Sequence, residues 1–457
     1  MKPLTLQEAS TVLGATLSNA DGDSVARGVA VDSRAVREGD LFFALRGATD
    51  GADFAPDAAS RGAVAAVATR PLEVPTLVVE DPLEALTRLA RWNLQVDNAP
   101  VVVGITGSVG KTTTKDALAT ILRSAGRKVS ATEGNFNNEI GLPLTVLAAP
   151  ESTEVLVLEM GATYAGDIRH LCGIAPPQIG ILTAVSPVHL DSFGSLEALA
   201  AAKGELARCV AEDGAFVHPA GVPENARGVD RTFGRRVSFA REVGDGVELW
   251  ASGVEEREDG LRFVAHLGDV SAEVHSPVFG THLVAPLLAA MGGGVALGLT
   301  IEECAAGLAR LKRAGLRGEV YRLRDDILVY DDSYNASPVA MAAVLRYGAE
   351  NAAQHGRRLV AVLGGMFELG PGAREYHREI GTLADGFGVD VLVCVGDEAR
   401  WYADTFTGET RTHESAEAAA DALETTLLPG DYVIVKGSRG VHLDVLTRRL
   451  RESLALV

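Results

Sequence analysis

Val101-Val102-Val103-Gly104-Ile105-Thr106-Gly107-Ser108-Val109-Gly110-Lys111-Thr112-Thr113-Thr114 decides how the chain is read. A β-branched run feeds a glycine loop, and the loop ends in Lys-Thr at the start of a helical pattern. Backbone N–H groups and the positive end of a helix dipole then face whatever anion sits there. Lys111 adds a point charge, and the Thr112 hydroxyl is a ligand type for Mg²⁺. Thr114, Leu118, Ile121, Leu122 and Ala125 recur at helical spacing, and Gly126 ends the run. The general phosphate-loop pattern wants glycine where Ile105 stands; here the glycines are Gly104, Gly107 and Gly110. The loop predicts a nucleotide phosphate and leaves the reaction open.

The chain has 457 residues, room for two to four domains. Its 42 basic and 61 acidic residues give a formal charge of −19, which argues against general nucleic-acid binding. Four cysteines lack any Cys-x-x-Cys spacing, which favours a reducing compartment over zinc or disulfides. The N-terminal residues carry no hydrophobic signal core. The longest uncharged run, 284–300, is broken by Pro286 and three glycines, so a buried helix is expected there and no membrane insertion.

Before the loop, residues 1–98 read as a small mixed domain with strands near 28–31, 41–45, 64–67 and 76–79. Ser33 and Arg34 follow the first of these. They could hold a phosphate, or form a capped turn with a solvated arginine. From 99 to 314 strand and helix alternate, as in a nucleotide-binding α/β domain. Asn135, Asn137 and Asn138 make a polar loop, open to turn chemistry or to an amide-rich surface for sugar or peptide. Val155–Leu158 ends in Glu159, where ligands bind beyond strand ends; a metal carboxylate and a water-facing one both fit. His189 follows a third strand end, as a structural histidine or a metal ligand. A helix is expected over 195–210 with a stripe of Leu196, Leu199, Leu206 and Val210. Lys203 falls on that stripe. It either snorkels at the edge or is buried, which lowers its pKa and makes the amine usable, including towards CO₂. Residues 214–276 read as a β-rich extension and 312–318 as a linker. Residues 315–457 are again α/β, with polar clusters at three strand ends: 331–335, 364–370 and 436–439.

Taken in order, the motifs resemble those of the bacterial Mur ligases. They are Asp32-Ser-Arg…Gly39-Asp-Leu-Phe, Thr106-Gly-Ser-Val-Gly-Lys-Thr112, Gly134-Asn-Phe-Asn-Asn-Glu-Ile-Gly141, Leu158-Glu-Met-Gly161, His189-Leu-Asp-Ser-Phe-Gly-Ser195, Ala202-Lys-Gly-Glu205, Asp331-Asp-Ser-Tyr-Asn335, Glu368-Leu-Gly370 and Lys436-Gly-Ser-Arg439. The resemblance spans nearly the whole chain. It implies three α/β domains: a small mixed domain for a UDP-linked substrate, a central P-loop-type ATPase domain and a C-terminal Rossmann-like domain.

It also implies a reaction. ATP would phosphorylate the terminal carboxylate of UDP-MurNAc-tripeptide, and the amine of D-Ala-D-Ala would displace the phosphate. Gly107, Ser108, Val109, Gly110, Lys111, Thr112 and Thr113 would hold ATP, with Asn335, Arg317 and Asp331 closing over it. Thr112 and Glu159 would hold one Mg²⁺; His189 and a carbamylated Lys203 would help position a second. Ser33 and Arg34, Asn137 and Asn138, and Lys436, Ser438 and Arg439 would contact the substrates. A cytoplasmic monomer is expected. The departures from the family pattern are Leu283 and Pro286 in place of two asparagines near the adenine, Gly365 in place of an aspartate, and Ala52 in place of a histidine. Two rivals remain, a sister ligase adding the third peptide residue and a catalytically silent nucleotide-binding scaffold. Glu368-Leu-Gly-Pro-Gly-Ala-Arg374, where the sister carries Asp-x-Pro-Arg, disfavours the first.

Overall fold

The computed structural model describes residues 1–95, 99–187, 190–228, 233–257, 259–312 and 318–455. The expected boundaries near 98 and 314, together with His189 and Arg317, lie outside the described residues.

Three sheets follow one another along the chain. The first has five strands, in the order Thr16–Ser18, Thr76–Val78, Ala65–Ala68, Asp40–Phe43, Gly28–Ala30, parallel except at its Thr16–Ser18 edge. The expected strands are present. Thr16–Ser18 and a short Leu4–Thr5/Val25–Ala26 pair were not expected, because runs of two or three residues carry no readable period.

The second sheet has nine strands. Val101–Thr106 lies between Val155–Glu159 and Ile179–Leu182, parallel to both. Ala215–Pro219, Arg235–Ala240 and Leu249–Arg257 continue the parallel run. Gly260–Leu267 and Val270–Ser276 then turn back antiparallel, forming the β-rich extension. Such a sheet, covered on both faces, needs continuous apolar strands, and Val155–Glu159 is buried throughout. Helix Lys111–Ser124 covers it, with Leu118, Ile121 and Leu122 inside. The 284–300 run forms the buried helix Val284–Ala296 as expected.

The expected helix over 195–210 is two helices, Leu196–Lys203 and Glu205–Cys209, meeting at Gly204. A Cβ at Gly204 would lie 2.1 Å from the Asn225 carbonyl, so only glycine lets that segment approach. Leu196 is exposed, whereas Leu199, Lys203, Leu206 and Val210 are buried. Lys203 therefore does not snorkel.

The third sheet has six strands, in the order Glu319–Arg322, Leu328–Asp331, Tyr432–Lys436, Leu359–Gly364, Val391–Val395, Glu409–His413. Only Glu319–Arg322 is antiparallel to its neighbour. Its carboxyl rim meets the middle module: Gly370 packs on Asp191, and the Tyr330 hydroxyl donates to the Phe279 carbonyl at 3.4 Å. The first and middle modules share one apolar core, running from Leu6, Leu86 and Leu89 through Leu142 and Leu156 to Phe216. The cores of the third module take in Phe279 alone from the middle module, among the described residues.

Candidate active site

Strand Val101–Thr106 hands directly to the glycine loop. Gly107 has φ +146°, and a Cβ there would lie 2.1 Å from Thr183 Oγ1. Gly110 has φ +84° and caps the helix that begins at Lys111. Both positions lie in the left-handed half of backbone space that glycine enters without penalty. The loop is tied down from the neighbouring strand end: Ser108 N donates to Ala184 O at 2.9 Å, and Thr183 Oγ1 donates to Val109 O at 2.6 Å. Lys111 Nζ reaches back to Gly107 O at 2.8 Å, within the anion cradle.

The register aligns the strand ends, with Glu159 opposite Ile105 and Leu182 opposite Thr106. Glu159 is buried at that rim. Its Oε2 accepts from Thr112 Oγ1 at 2.8 Å and its Oε1 from Asn137 Nδ2 at 2.9 Å, while its own N–H donates to Thr132 Oγ1 at 3.0 Å. A carboxylate and a hydroxyl beside a phosphate cradle are hard oxygen donors suited to Mg²⁺.

Lys203 is 2% exposed. Its Nζ donates to Ala162 O at 3.3 Å and stands 5.6 Å from the Phe193 ring centre. Burial first and the Lys111 charge second, opposed by Asp167 and Glu205, bring its pKa from 10.5 down to about 7. Much of the amine is therefore neutral near pH 7, the form that adds to CO₂. Glu205 holds the facing loop by accepting from Gly166 N at 2.8 Å and Arg169 N at 3.0 Å.

Several expected contact residues bond to neighbouring protein groups. Asn137 Nδ2 donates to Glu159, and Asn138 Oδ1 accepts from Gly141 N at 2.9 Å at the start of helix Gly141–Ala148, so both brace the loop. Asp331 is fully buried, with Oδ1 accepting from Ser333 N at 3.1 Å; burial raises its pKa. Its carboxylate lies inside its module. Lys436 is buried, ion-paired with Asp332, and donates to Asn335 O at 2.9 Å. Ser438 bridges rim loops, its N–H donating to Gly365 O at 3.0 Å and its Oγ accepting from Phe367 N at 2.9 Å. Lys436 and Ser438 thus tie the rim loops together. Asn335 stays exposed, and half-exposed Arg439 pairs with Asp444 at 3.0 Å.

In the first module Ser33 is buried, while Arg34 is exposed and grips Asp32 through Nε at 2.9 Å and Nη2 at 2.7 Å. Those bonds hold the Asp32 carboxyl down at about 2. Sequence reasoning missed Lys115, which is buried and donates from Nζ to Thr132 O at 2.7 Å, next to the hydroxyl that holds Glu159. Its signal was its place, one helical turn after Lys111. Among the described residues no three His, Cys, Asp or Glu side chains gather as a metal cluster.

A glycine loop at the centre of a parallel sheet, faced by the rim of a second sheet and fused to a smaller one, defines a three-module phosphate-loop α/β protein. The chain belongs to the Mur ligase family. The family's catalytic domain matches residues 25–104, the Mur ligase middle domain 105–293 and the Mur ligase, glutamate ligase domain 316–439. UDP-N-acetylmuramoyl-tripeptide–D-alanyl-D-alanine ligase of Bacillus subtilis (strain 168) is 32% identical over 464 residues, covering 98% of each chain. The crystal structure of MurF from Acinetobacter baumannii superposes with a TM-score of 0.88 at 27% identity over 99% of both chains. MurF ligase of Thermotoga maritima, in complex with ADP, gives 0.82 at 32% identity, covering 94% of this chain and 98% of that one.

Proposed function

We propose that the protein joins D-Ala-D-Ala to UDP-MurNAc-tripeptide at the expense of ATP, for peptidoglycan synthesis. The observation that carries this is the Thr112–Glu159 hydrogen bond at the mouth of the phosphate loop, with Lys203 buried in the same module. The whole-chain likeness to ligases of that name supports the choice of substrates. On this reading residues 1–98 hold the UDP end, 99–314 the ATP and 315–457 the incoming dipeptide.

The loop amides of Ser108 to Lys111 and the helix dipole bind the ATP phosphates, and Lys111 Nζ turns from Gly107 O to the transferring phosphate. A tripeptide carboxylate oxygen bonds to the γ-phosphorus as the bond to ADP breaks. The dipeptide nitrogen then bonds to the acyl carbon; the carbon–oxygen bond to phosphate breaks, and phosphate and a proton leave. Thr112 and Glu159 are the residues that would hold Mg²⁺, which supplies neutralisation of phosphate charge. Lys203 is assigned to carbamylation: its amine adds CO₂ and releases a proton, turning a buried base into a buried carboxylate. The enzyme works as a monomer in the cytoplasm, a reading that fits four free cysteines.

Purified protein with Mg²⁺, ATP, UDP-MurNAc-tripeptide and D-Ala-D-Ala should release ADP and form the pentapeptide only when both acceptor and dipeptide are present. No pentapeptide under those conditions would end the proposal. A panel of UDP-linked dipeptides and single amino acids separates the sister ligase.

A further inference from the structure

Thr112 and Lys115 stand three residues apart on helix Lys111–Ser124, a spacing that puts both on one side of it. Between them they hold Glu159 from its two ends. Thr112 Oγ1 donates to the carboxylate, reaching Oε2 at 2.8 Å. Lys115 works from behind. Its Nζ donates to Thr132 O at 2.7 Å, and Thr132 Oγ1 accepts the Glu159 N–H at 3.0 Å. These bonds close a ring that leaves the helix at 112, passes through Glu159 and Thr132, and returns to the helix at 115.

Thr112 is half-buried at the mouth of the phosphate loop. The other three members lie inside the protein: Lys115 is 5% exposed, Thr132 1% and Glu159 3%. Thr132 follows strand Val129–Ala131 and is fixed to the sheet, its N–H donating to Val157 O at 3.0 Å. It also opens the loop that brings Asn137 Nδ2 round to Glu159 Oε1 at 2.9 Å. The far end of that loop is tied by Gly161 N, which donates to Asn137 O at 2.8 Å. The loop therefore starts and finishes on Glu159.

An apolar side chain would fill the space of Lys115 without stripping water from an ammonium, which costs free energy. That ammonium also pairs with Asp116 Oδ1 at 2.8 Å, a partly exposed carboxylate on the next residue. A pair within one helix fixes nothing beyond the helix. Among the described residues, the hydrogen bond that carries Lys115 outside its own helix is the one to Thr132.

We infer that Lys115 is a positioning residue for the magnesium site: through Thr132 it fixes the backbone of Glu159, so that the carboxylate stands beside the Thr112 hydroxyl. This rests on the proposed reading of Thr112 and Glu159 as the residues that would hold Mg²⁺, and adds the group behind them. Lys111 then serves the phosphates, and Lys115 serves the carboxylate that would meet the metal.

Mn²⁺ stands in for Mg²⁺ in the test, because electron paramagnetic resonance reads its free form. The full-length protein, with ADP slightly short of the protein so that free nucleotide holds no metal, is titrated with Mn²⁺. Kd is read apart from stoichiometry, so misfolded protein does not count. Lys115→Met keeps the apolar stem and should raise the Mn²⁺ Kd by about 10- to 100-fold, the size usual for a group that orients a metal ligand. Affinity for ADP in EDTA should stay within about twofold, since the loop amides and the helix dipole still hold the phosphates. Lys115→Arg, which keeps donors, should fall between wild type and Lys115→Met. Thr132→Val opens the same ring at the Glu159 N–H and should also raise the Mn²⁺ Kd. The double variant should then be within about twofold of the weaker single one, because both changes break one relay. An unchanged Mn²⁺ Kd in Lys115→Met, an equal loss of ADP affinity in EDTA, or single effects that multiply in the double variant overturns the inference. Wild type that binds ADP but takes up no Mn²⁺ would sink the magnesium reading of Thr112 and Glu159, and the inference with it. Wild type that takes up Mn²⁺, is weakened as expected by Lys115→Met, and yet forms no pentapeptide would sink the ligase reading and leave the role of Lys115 standing.

Discussion

Replacing Lys203 with methionine should make the protein more stable while abolishing ligation. The wild-type side chain is 2% exposed and meets a carbonyl at 3.3 Å. Its pKa falls from 10.5 to about 7. At pH 7.5 the unfolded chain binds that proton almost fully, while the folded site has largely given it up. Each unit of difference is worth about 1.4 kcal/mol, so holding the amine in place costs about 4 kcal/mol at that pH. Methionine keeps most of the volume and carries no such cost. A net gain of about 2–4 kcal/mol is expected once the lost carbonyl contact is discounted.

The sign with pH follows. Between about 7 and 10.5 the unfolded state holds more protons than the folded one, so wild-type stability from this group rises through that window. Below 7 and above 10.5 the contribution is flat. Urea unfolding followed by circular dichroism, in CO₂-free buffer at four pH values from 7 to 10, reads the difference between the two proteins. The gap should be widest at pH 7 and narrow steadily. A methionine variant no more stable than wild type at pH 7.5, or a gap independent of pH, would refute the argument. With [¹³C]bicarbonate the wild type should show a carbamate carbon resonance that the variant lacks.

Glu159→Gln should lower ligation by about 100-fold or more while leaving the unfolding midpoint nearly unchanged, because an amide oxygen still accepts from Thr112 or Asn137; phosphate release and a melt on the same sample check both. Asp431→Asn should cost about 2–4 kcal/mol, since Asp431 is 1% exposed and accepts from Arg358 Nε at 2.9 Å and Nη2 at 2.8 Å and from Leu428 N at 2.8 Å. Denaturant titration of the whole chain should show the loss. Arg34→Ala should leave the melt unchanged, because its pair with Asp32 is solvent-exposed, and raise KM for the UDP-linked substrate by about tenfold.

The phosphate loop, its helix and Glu159 were legible in the sequence because each is local: a strand, a glycine spacing, a residue at a strand end. Lys203 was half legible. Its spacing put it on the apolar stripe, but only the packed structure decides between snorkelling and burial, through Phe193 and Ala162. The third module's rim was read as a cluster of charges facing substrate. The bonds that Asp331, Lys436 and Ser438 make within that rim were not legible, because a motif shows which polar residues gather and not which of them bond to one another. The break at Gly204 was hidden because the helical period runs on through it.

The apolar core common to the first two modules makes them a fixed gauge. Pulling them apart would wet Leu86, Leu89, Leu142 and Phe216 together, so the spacing between the Ser33–Arg34 turn and the glycine loop is set before any ligand arrives. A nucleotide-linked chain that is one residue too short or too long would present its end away from the phosphate. The third module keeps cores of its own, which take in Phe279 alone from the middle module among the described residues. On the proposed reading, substrate length is then gauged by the two modules that share a core.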